Sequence, residues 1–306
     1  MVGKTSEAGF RYVAMSAAAV IWLVGLGAAA GDTGGTCVYE ISHPEKVLPL
    51  EEYHCSTFHQ DVHKYCEHHV RVTVTVPSSL PRPGQTFPLP GVPEEFRTYL
   101  QRSPHVQSDH PAVRSLAERI LASAKPRTEE EAVAAVLVWT STNMTHAFPN
   151  EVPDAVTCIE RRRGNCIGFT HVATALLRHM GIPARTVRTL SVCPNCGKGK
   201  RIPHRSAQAY TKTGIREVLY DAPKTGRSHF LRHSIVEVYY PEDRMWVLYE
   251  PQTAGPPNDT NIYLKSHHDW DVQTQRACRA FSRDARTVVE AKAASAAGPS
   301  RDPDSR

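Results

Sequence analysis

The chain has 306 residues, 41% hydrophobic and 22% charged, with 23 prolines and 18 glycines. That length and balance suit one sizeable core with a smaller appended region, and exclude collagen, coiled coil and low complexity as the main architecture. The formal charge of +5, from 36 basic and 31 acidic residues, is mild for this length and calls for no nucleic-acid partner.

Lys4 and Arg11 precede an apolar run from Tyr12 to Ala30, which ends in Ala28-Ala29-Ala30 and is followed by Gly31-Asp32. A basic flank, an apolar stretch and a small-residue end predict a signal peptide over residues 1–30. A retained membrane anchor is the competing reading, because the run has about 19 residues and a spanning helix needs roughly 20. This segment is the only membrane contact the sequence suggests. The expected location is the periplasm, the cell envelope or the secreted fraction. All 8 cysteines lie beyond it, in a disulfide-permissive setting.

Residues 31–93 read as a small β-rich region followed by a linker. Val70 to Val76 alternates β-branched and polar residues, which predicts a strand. Pro77, Pro81, Pro83, Pro88, Pro90 and Pro93 then interrupt any regular element, so a domain boundary is placed near 93. The main domain is expected over 94–290, with a disordered tail over 291–306.

Helical periodicity takes over after the prolines. Pro111 opens a helix with Val113, Leu116, Ala117, Ile120 and Leu121 on one face. Thr128 and Glu131 form a capping-box pattern before a second helix carrying Val133, Val136, Leu137, Thr140 and Met144 on one stripe. A third helix starts at Cys166, with Phe169, Val172, Ala173, Leu176, Leu177 and Met180 as its apolar stripe and Gly181 and Pro183 as its stop. Ala184 to Val192 reads as a strand, and residues 193–232 as a long irregular stretch. Ser234 to Tyr240 and Met245 to Glu250 then form a hairpin around the turn Pro241-Glu242-Asp243-Arg244.

Cys166 is the chemically informative residue. At a helix start, after Gly164-Asn165, it faces backbone N–H groups and the positive end of the helix dipole, which favour the nucleophilic thiolate. Attack on an acyl carbon needs a proton shuttle and a group to orient it. His233 at the start of the first hairpin strand and Glu250 at the end of the second are brought together by strand pairing. Cys166, His233 and Glu250 thus form a thiol triad of the papain type.

Gly164-Asn165-Cys166, Leu176-Leu177-Arg178-His179-Met180-Gly181-Ile182-Pro183-Ala184-Arg185, the strand from His233 to Tyr240, and Trp246 to Pro251 resemble, in order, the core motifs of the transglutaminase-like superfamily. That superfamily includes transglutaminases, microbial cysteine proteases and peptide N-glycanases. The resemblance covers roughly residues 110–255. It implies an α+β, papain-like fold, with helices packed on an antiparallel sheet and the small β-rich region preceding it. It also implies a thiol-dependent acyl-transfer enzyme acting on amide bonds of a protein or peptide substrate, with catalytic Cys166, His233 and Glu250. Hydrolysis by a cysteine protease or amidase is the expected reaction. Protein-glutamine cross-linking and a catalytically inactive binding or scaffold module are the alternatives. Three features depart from the family pattern: Glu250 stands where Asp is usual, Ile167 where an aromatic residue often follows the cysteine, and about forty residues separate Arg185 from His233. The acyl oxygen would be held by the Cys166 N–H and an upstream donor, for which Trp139 and Asn143 are candidates.

No cofactor is expected, and nothing in the sequence indicates calcium. Cys193-Pro-Asn-Cys196 has the spacing of a zinc knuckle, but the chain has no second C-x-x-C, so a disulfide is favoured over zinc at Cys193 and Cys196. His59, His63, His68 and His69 cluster near Cys55 and Cys66 in spacings that match no zinc motif. His171 reads as a helix-face residue, and Cys158 as an alternative disulfide partner for Cys166. Reserving Cys166 as a free thiol leaves an odd number of cysteines, so at most three disulfides can form among Cys37, Cys55, Cys66, Cys158, Cys193, Cys196 and Cys278.

Overall fold

The computed structural model describes residues 36–42, 50–66, 69–76, 85–147, 153–193, 208–211, 214–217, 229–255, 257, 261–267 and 289–293. The expected signal segment over 1–30, Cys196, Cys278 and the tail after 293 lie outside the described residues.

The first strands are β1 (Thr36–Ser42), β2 (Tyr53–Cys55), β3 (Phe58–Cys66) and β4 (His69–Thr75). A 3-10 turn (Glu94–Leu100) leads to α1 (Pro111–Ala124), α2 (Glu129–Asn143), β5 (Thr145–His146), α3 (Ala155–Arg161), β6 (Arg163–Gly164) and α4 (Cys166–His179). Next come β7 (Ala184–Cys193), β8 (Gln208–Thr211), β9 (Gly214–Glu217), β10 (His229–Tyr240), β11 (Met245–Tyr249), β12 (Asn261–His267) and β13 (Val289–Ala293). Antiparallel strands in the order β11-β10-β7-β12 make the sheet on which the helices pack, and β13-β1-β4-β3-β2 make a second antiparallel sheet. This is the α+β, papain-like arrangement that the sequence led us to expect.

The helix starts follow local chemistry. Thr128 accepts from the Glu131 N–H at 3.2 Å, while the Glu131 carboxylate takes the Arg127 N–H at 2.6 Å, a reciprocal cap shifted by one residue. Asn165 caps α4 by accepting from the N–H groups of Ile167 (3.1 Å) and Gly168 (3.2 Å). Gly181, with φ of +80°, turns the chain out of that helix, a conformation that costs a glycine little.

Several expectations need correction. A one-sided apolar stripe was expected on α4, yet every residue from Gly168 to Arg178 is buried, so the helix is enclosed on all sides. Its buried Arg178 is accommodated within the protein: the guanidinium donates to Ala184 O (2.9 Å) and Gln101 O (2.8 Å). Helix α3, not expected from the sequence, starts where Asp154 accepts from the Thr157 N–H at 2.9 Å. The stretch 193–232, read as irregular, contains the β8–β9 hairpin and the first residues of β10. β12, also unexpected, flanks β7. β13 pairs with β1, so regular structure runs past residue 290.

The N-terminal strands are not a separate body. Their apolar face (Tyr39, Ile41, Val70, Val72, Val74) belongs to the same core as Leu176, Leu177 and Ile235. Tyr53 Oη donates to Trp246 O at 3.1 Å, and Thr57 Oγ1 to Leu248 O at 3.0 Å. The Gln60 side chain brackets Tyr263, donating to its carbonyl at 2.9 Å and accepting from its N–H at 2.7 Å. The described end of the expected linker is also tied down, with Phe87 N–H donating to Arg127 O at 2.9 Å and Glu129 N–H to Gln85 O at 2.8 Å. A strand with one apolar face must cover it, and the backbone edges of β11 and β12 are where it docks.

Candidate active site

Three elements converge on one point. Cys166 is the first residue of α4 and half-buried; His233 lies within β10 and Glu250 directly follows β11, both buried. The His233 Nε2 hydrogen-bonds the Glu250 carboxylate, and the Cys166 thiol hydrogen-bonds the same ring.

The strand register differs in detail from expectation. His233 does not start its strand: β10 begins at His229, and His233 pairs with Thr189 of β7. The β10–β11 ladder runs from Tyr240–Met245 to Val236–Tyr249, so Glu250 sits beyond its end and diagonal to His233 rather than opposite it. Diagonal neighbours on one face lie about 7–8 Å apart, a span that suits a longer carboxylate. The departure from the family pattern is therefore accommodated by position. Glu250 is itself held: its N–H donates to Gly255 O at 2.7 Å, and its second carboxylate oxygen accepts from the Gln252 N–H at 3.1 Å. Neither partner was signalled by the sequence.

Helix and sheet are joined beside the site by Thr170. Its hydroxyl lies 2.9 Å from both Cys166 O and Ser234 O, tying the turn that carries the sulfur to the residue after the histidine. Burial opposes a charge on His233. The Glu250 charge, the hydrogen bonds to Cys166 and Glu250, and the Cys166 charge outweigh it, so its pKa is pushed up to about 10.

His146, which the sequence reading did not single out, is influenced by this group. Burial and then the charge on His233 push its pKa down to about 4. It occupies β5, which pairs in parallel with β6 just before Cys166.

The upstream residues proposed from sequence are engaged elsewhere. The Asn143 carboxamide donates to Trp139 O (3.0 Å) and to the Thr142 hydroxyl (2.9 Å). Trp139 carries the Arg162 guanidinium over its ring at 4.6 Å. His171 is on the helix as expected and fully buried, its Nδ1 2.8 Å from Pro153 O and its ring stacked on His105 at 5.6 Å.

The cysteines divide clearly. Cys55, Cys66, Cys158 and Cys166 are free thiols, which removes the Cys158–Cys166 bridge as a competitor and leaves Cys55 and Cys66 outside the expected disulfides. Cys158 is packed under α4, where burial pushes its pKa up to about 12. The side chains of Cys37 and Cys193, like all of Cys196 and Cys278, lie outside the described residues, and with them the knuckle question. In the histidine-rich hairpin, His54 and His59 meet across the strands at 3.3 Å, and Asp61 lies 3.6 Å from His54. Among the described residues, no group of three or more His, Cys, Asp or Glu is gathered to hold a metal ion.

Residues 114–251 match the family model of the transglutaminase-like superfamily, a span that contains all three converging residues. This segment belongs to the transglutaminase-like superfamily. Solved structures similar to this chain include a proposed cysteine protease from Cytophaga hutchinsonii (15% identity, 86% of each chain covered, TM-score 0.43). The periplasmic domain of TgpA from Pseudomonas aeruginosa is 13% identical, with 79% of this chain and 96% of that one covered and a TM-score of 0.37. The red sea bream transglutaminase is 10% identical, with 74% of this chain and 46% of that one covered and a TM-score of 0.31. A comparison with curated proteins finds no match.

Proposed function

We propose that the protein is an exported, thiol-dependent acyl-transfer enzyme that hydrolyses amide bonds in proteins or peptides. The observation that carries this reading is the buried Glu250–His233 pair, with the Cys166 thiol hydrogen-bonded to the same ring at a helix N-terminus. An imidazolium beside the sulfur is the partner a thiolate needs. Sγ of Cys166 attacks the acyl carbon, and the C–N bond breaks as His233 gives its proton to the departing amine. Water then attacks the thioester, His233 takes its proton, and the thiolate leaves. Glu250 holds the ring in the required tautomer and orientation throughout. These steps use side chains and backbone alone, so we propose no cofactor. Export rests on the basic and apolar pattern of residues 1–30.

Timed labelling of the native protein with iodoacetamide across pH, followed by peptide mapping, tests the assignment. Cys166 is expected to react at neutral pH faster than the exposed Cys66 in the same sample, while the buried Cys158 stays unlabelled. A Cys166→Ala variant is expected to lose peptide hydrolysis. Incorporation of a labelled amine into glutamine-bearing protein, in place of hydrolysis, would assign the cross-linking reaction instead. Cys166 behaving like an ordinary thiol near pH 8.5 would leave a non-catalytic module.

A further inference from the structure

Helix α4 carries two threonine hydroxyls, and they behave differently. The Thr174 hydroxyl donates to Thr170 O at 2.7 Å, the carbonyl four residues back, as a threonine inside a helix commonly does. The Thr170 hydroxyl reaches Cys166 O in the same way at 2.9 Å, but it has a second acceptor on another element, Ser234 O of β10, also at 2.9 Å. A hydroxyl has one proton. It is shared here between two carbonyls, and the sharing lasts only while both stay in place.

The position of this contact in the chain gives it a role. Cys166 is the first residue of α4, and Ser234 immediately follows His233 on β10. The Thr170 hydroxyl therefore touches the backbone of the nucleophile on one side and the backbone of the residue after the histidine on the other. The start of α4 is also its least enclosed part. Asn165, Cys166 and Ile167 are half-buried, whereas every residue from Gly168 to Arg178 is buried, Thr170 completely. Asn165 caps that first turn from within the helix, and Thr170 ties it to the sheet. The bond between sulfur and imidazole needs such a tie, because a hydrogen bond weakens steeply as distance and angle leave their preferred range.

We infer that Thr170 is a positioning residue: its hydroxyl pins the first turn of α4 to β10 and so holds the Cys166 thiol against the His233 ring. The inference rests on the catalytic reading of Cys166 given above. Thr170 acts through the contact between sulfur and imidazole, in which each charge stabilises the other.

Iodoacetamide alkylation of Cys166 across pH, followed by peptide mapping, reads that contact, because the acid limb of the rate profile marks the pH at which the thiolate forms. Thr170→Val keeps the outline of the side chain and removes the donor. It is expected to move the acid limb up by about one pH unit, which makes alkylation on that limb about tenfold slower. Thr170→Ser keeps the donor, and its limb is expected to stay within about 0.3 pH unit of the wild type. Urea unfolding of the same proteins separates stability from position, since a purely structural hydroxyl would lower the midpoint and leave the limb where it is. An unmoved limb in Thr170→Val overturns the inference. An equal displacement in Thr170→Ser also overturns it, because the methyl group would then set the geometry. If Thr170→Val does not fold, Thr170→Ser and Thr170→Ala differ by the hydroxyl alone and carry the same comparison, equal limbs again overturning the inference. Each of these results leaves the triad standing. A wild-type Cys166 that forms its thiolate only near pH 8.5, like an ordinary thiol, removes the catalytic reading and this inference with it.

Discussion

At the scale of single residues, the site depends on a carboxylate placed one step past a strand. Glu250 faces His233 on the diagonal, and its charge is the largest influence that keeps the buried ring protonated. Replacing it with Gln leaves burial, which favours the neutral ring, without its main opponent. The His233 pKa is therefore expected to fall from about 10, and the imidazolium should disappear at lower pH. In the pH profile of Cys166 alkylation, the alkaline limb of Glu250→Gln is expected to move to lower pH. Its kcat/KM for peptide hydrolysis should drop about 100- to 10,000-fold. An unmoved limb would show that Glu250 does not hold the charge state of His233. The sequence names all three residues of this group. The Gln252 N–H that fixes the second carboxylate oxygen comes from a tight turn, whose geometry no periodicity reveals.

Among elements, α4 is central, enclosed by α1, α2, α3 and the sheet, and tolerance to substitution is lowest where α3 crosses beneath it. A Cβ on Gly168 would stand 2.7 Å from the Cys158 sulfur and 3.2 Å from Pro153 Cγ, closer than side chains normally approach. Gly168→Ala is expected to destabilise the protein by about 1–3 kcal/mol in urea unfolding. Cys158→Ala removes the sulfur that is struck, so the double variant should recover part of that loss; a purely additive result would place the strain elsewhere. The extent of α4 and its stop at Gly181 are readable from 3.6-residue periodicity and capping chemistry. Its all-round burial is not, because Thr170, His171 and Thr174 look polar in sequence. The Thr170 hydroxyl and the His171 ring find the Ser234 and Pro153 carbonyls only after folding.

For the whole molecule, a shared core carries a pH dependence that does not involve Cys166, His233 or Glu250. Glu129 at the start of α2 is fully buried, and burial pushes its pKa from 4.5 up to about 8, with a partial offset from Gln85. A carboxyl whose folded pKa is raised holds its proton more tightly in the native state. Its contribution to stability therefore falls as pH rises from about 4.5 to about 8, and is level above that. Glu129→Gln is expected to remove this decline, so its advantage over the wild type grows by up to about 1.4 kcal/mol per pH unit through that window. Thermal or urea unfolding of both proteins at pH 5 and pH 8.5 measures it; equal gaps at the two values would mean that Glu129 is not titrating in the fold.

The sequence by itself determined the helices and the hairpin, through periodicity and capping. It also singled out Cys166, His233 and Glu250 as one group, through residue type and order along the chain. Those signals are local, set within a few residues by backbone sterics and hydrogen bonding. Only the tertiary structure decided which edges the N-terminal strands cover, how Gln60 clamps Tyr263 from far away in the chain, and that β12 completes the sheet. It also decided that His146, an unremarkable residue in a polar stretch, feels the charge of His233. Burial and charge at such a point are sums over groups brought together from distant parts of the chain, and no window of neighbouring residues contains that sum.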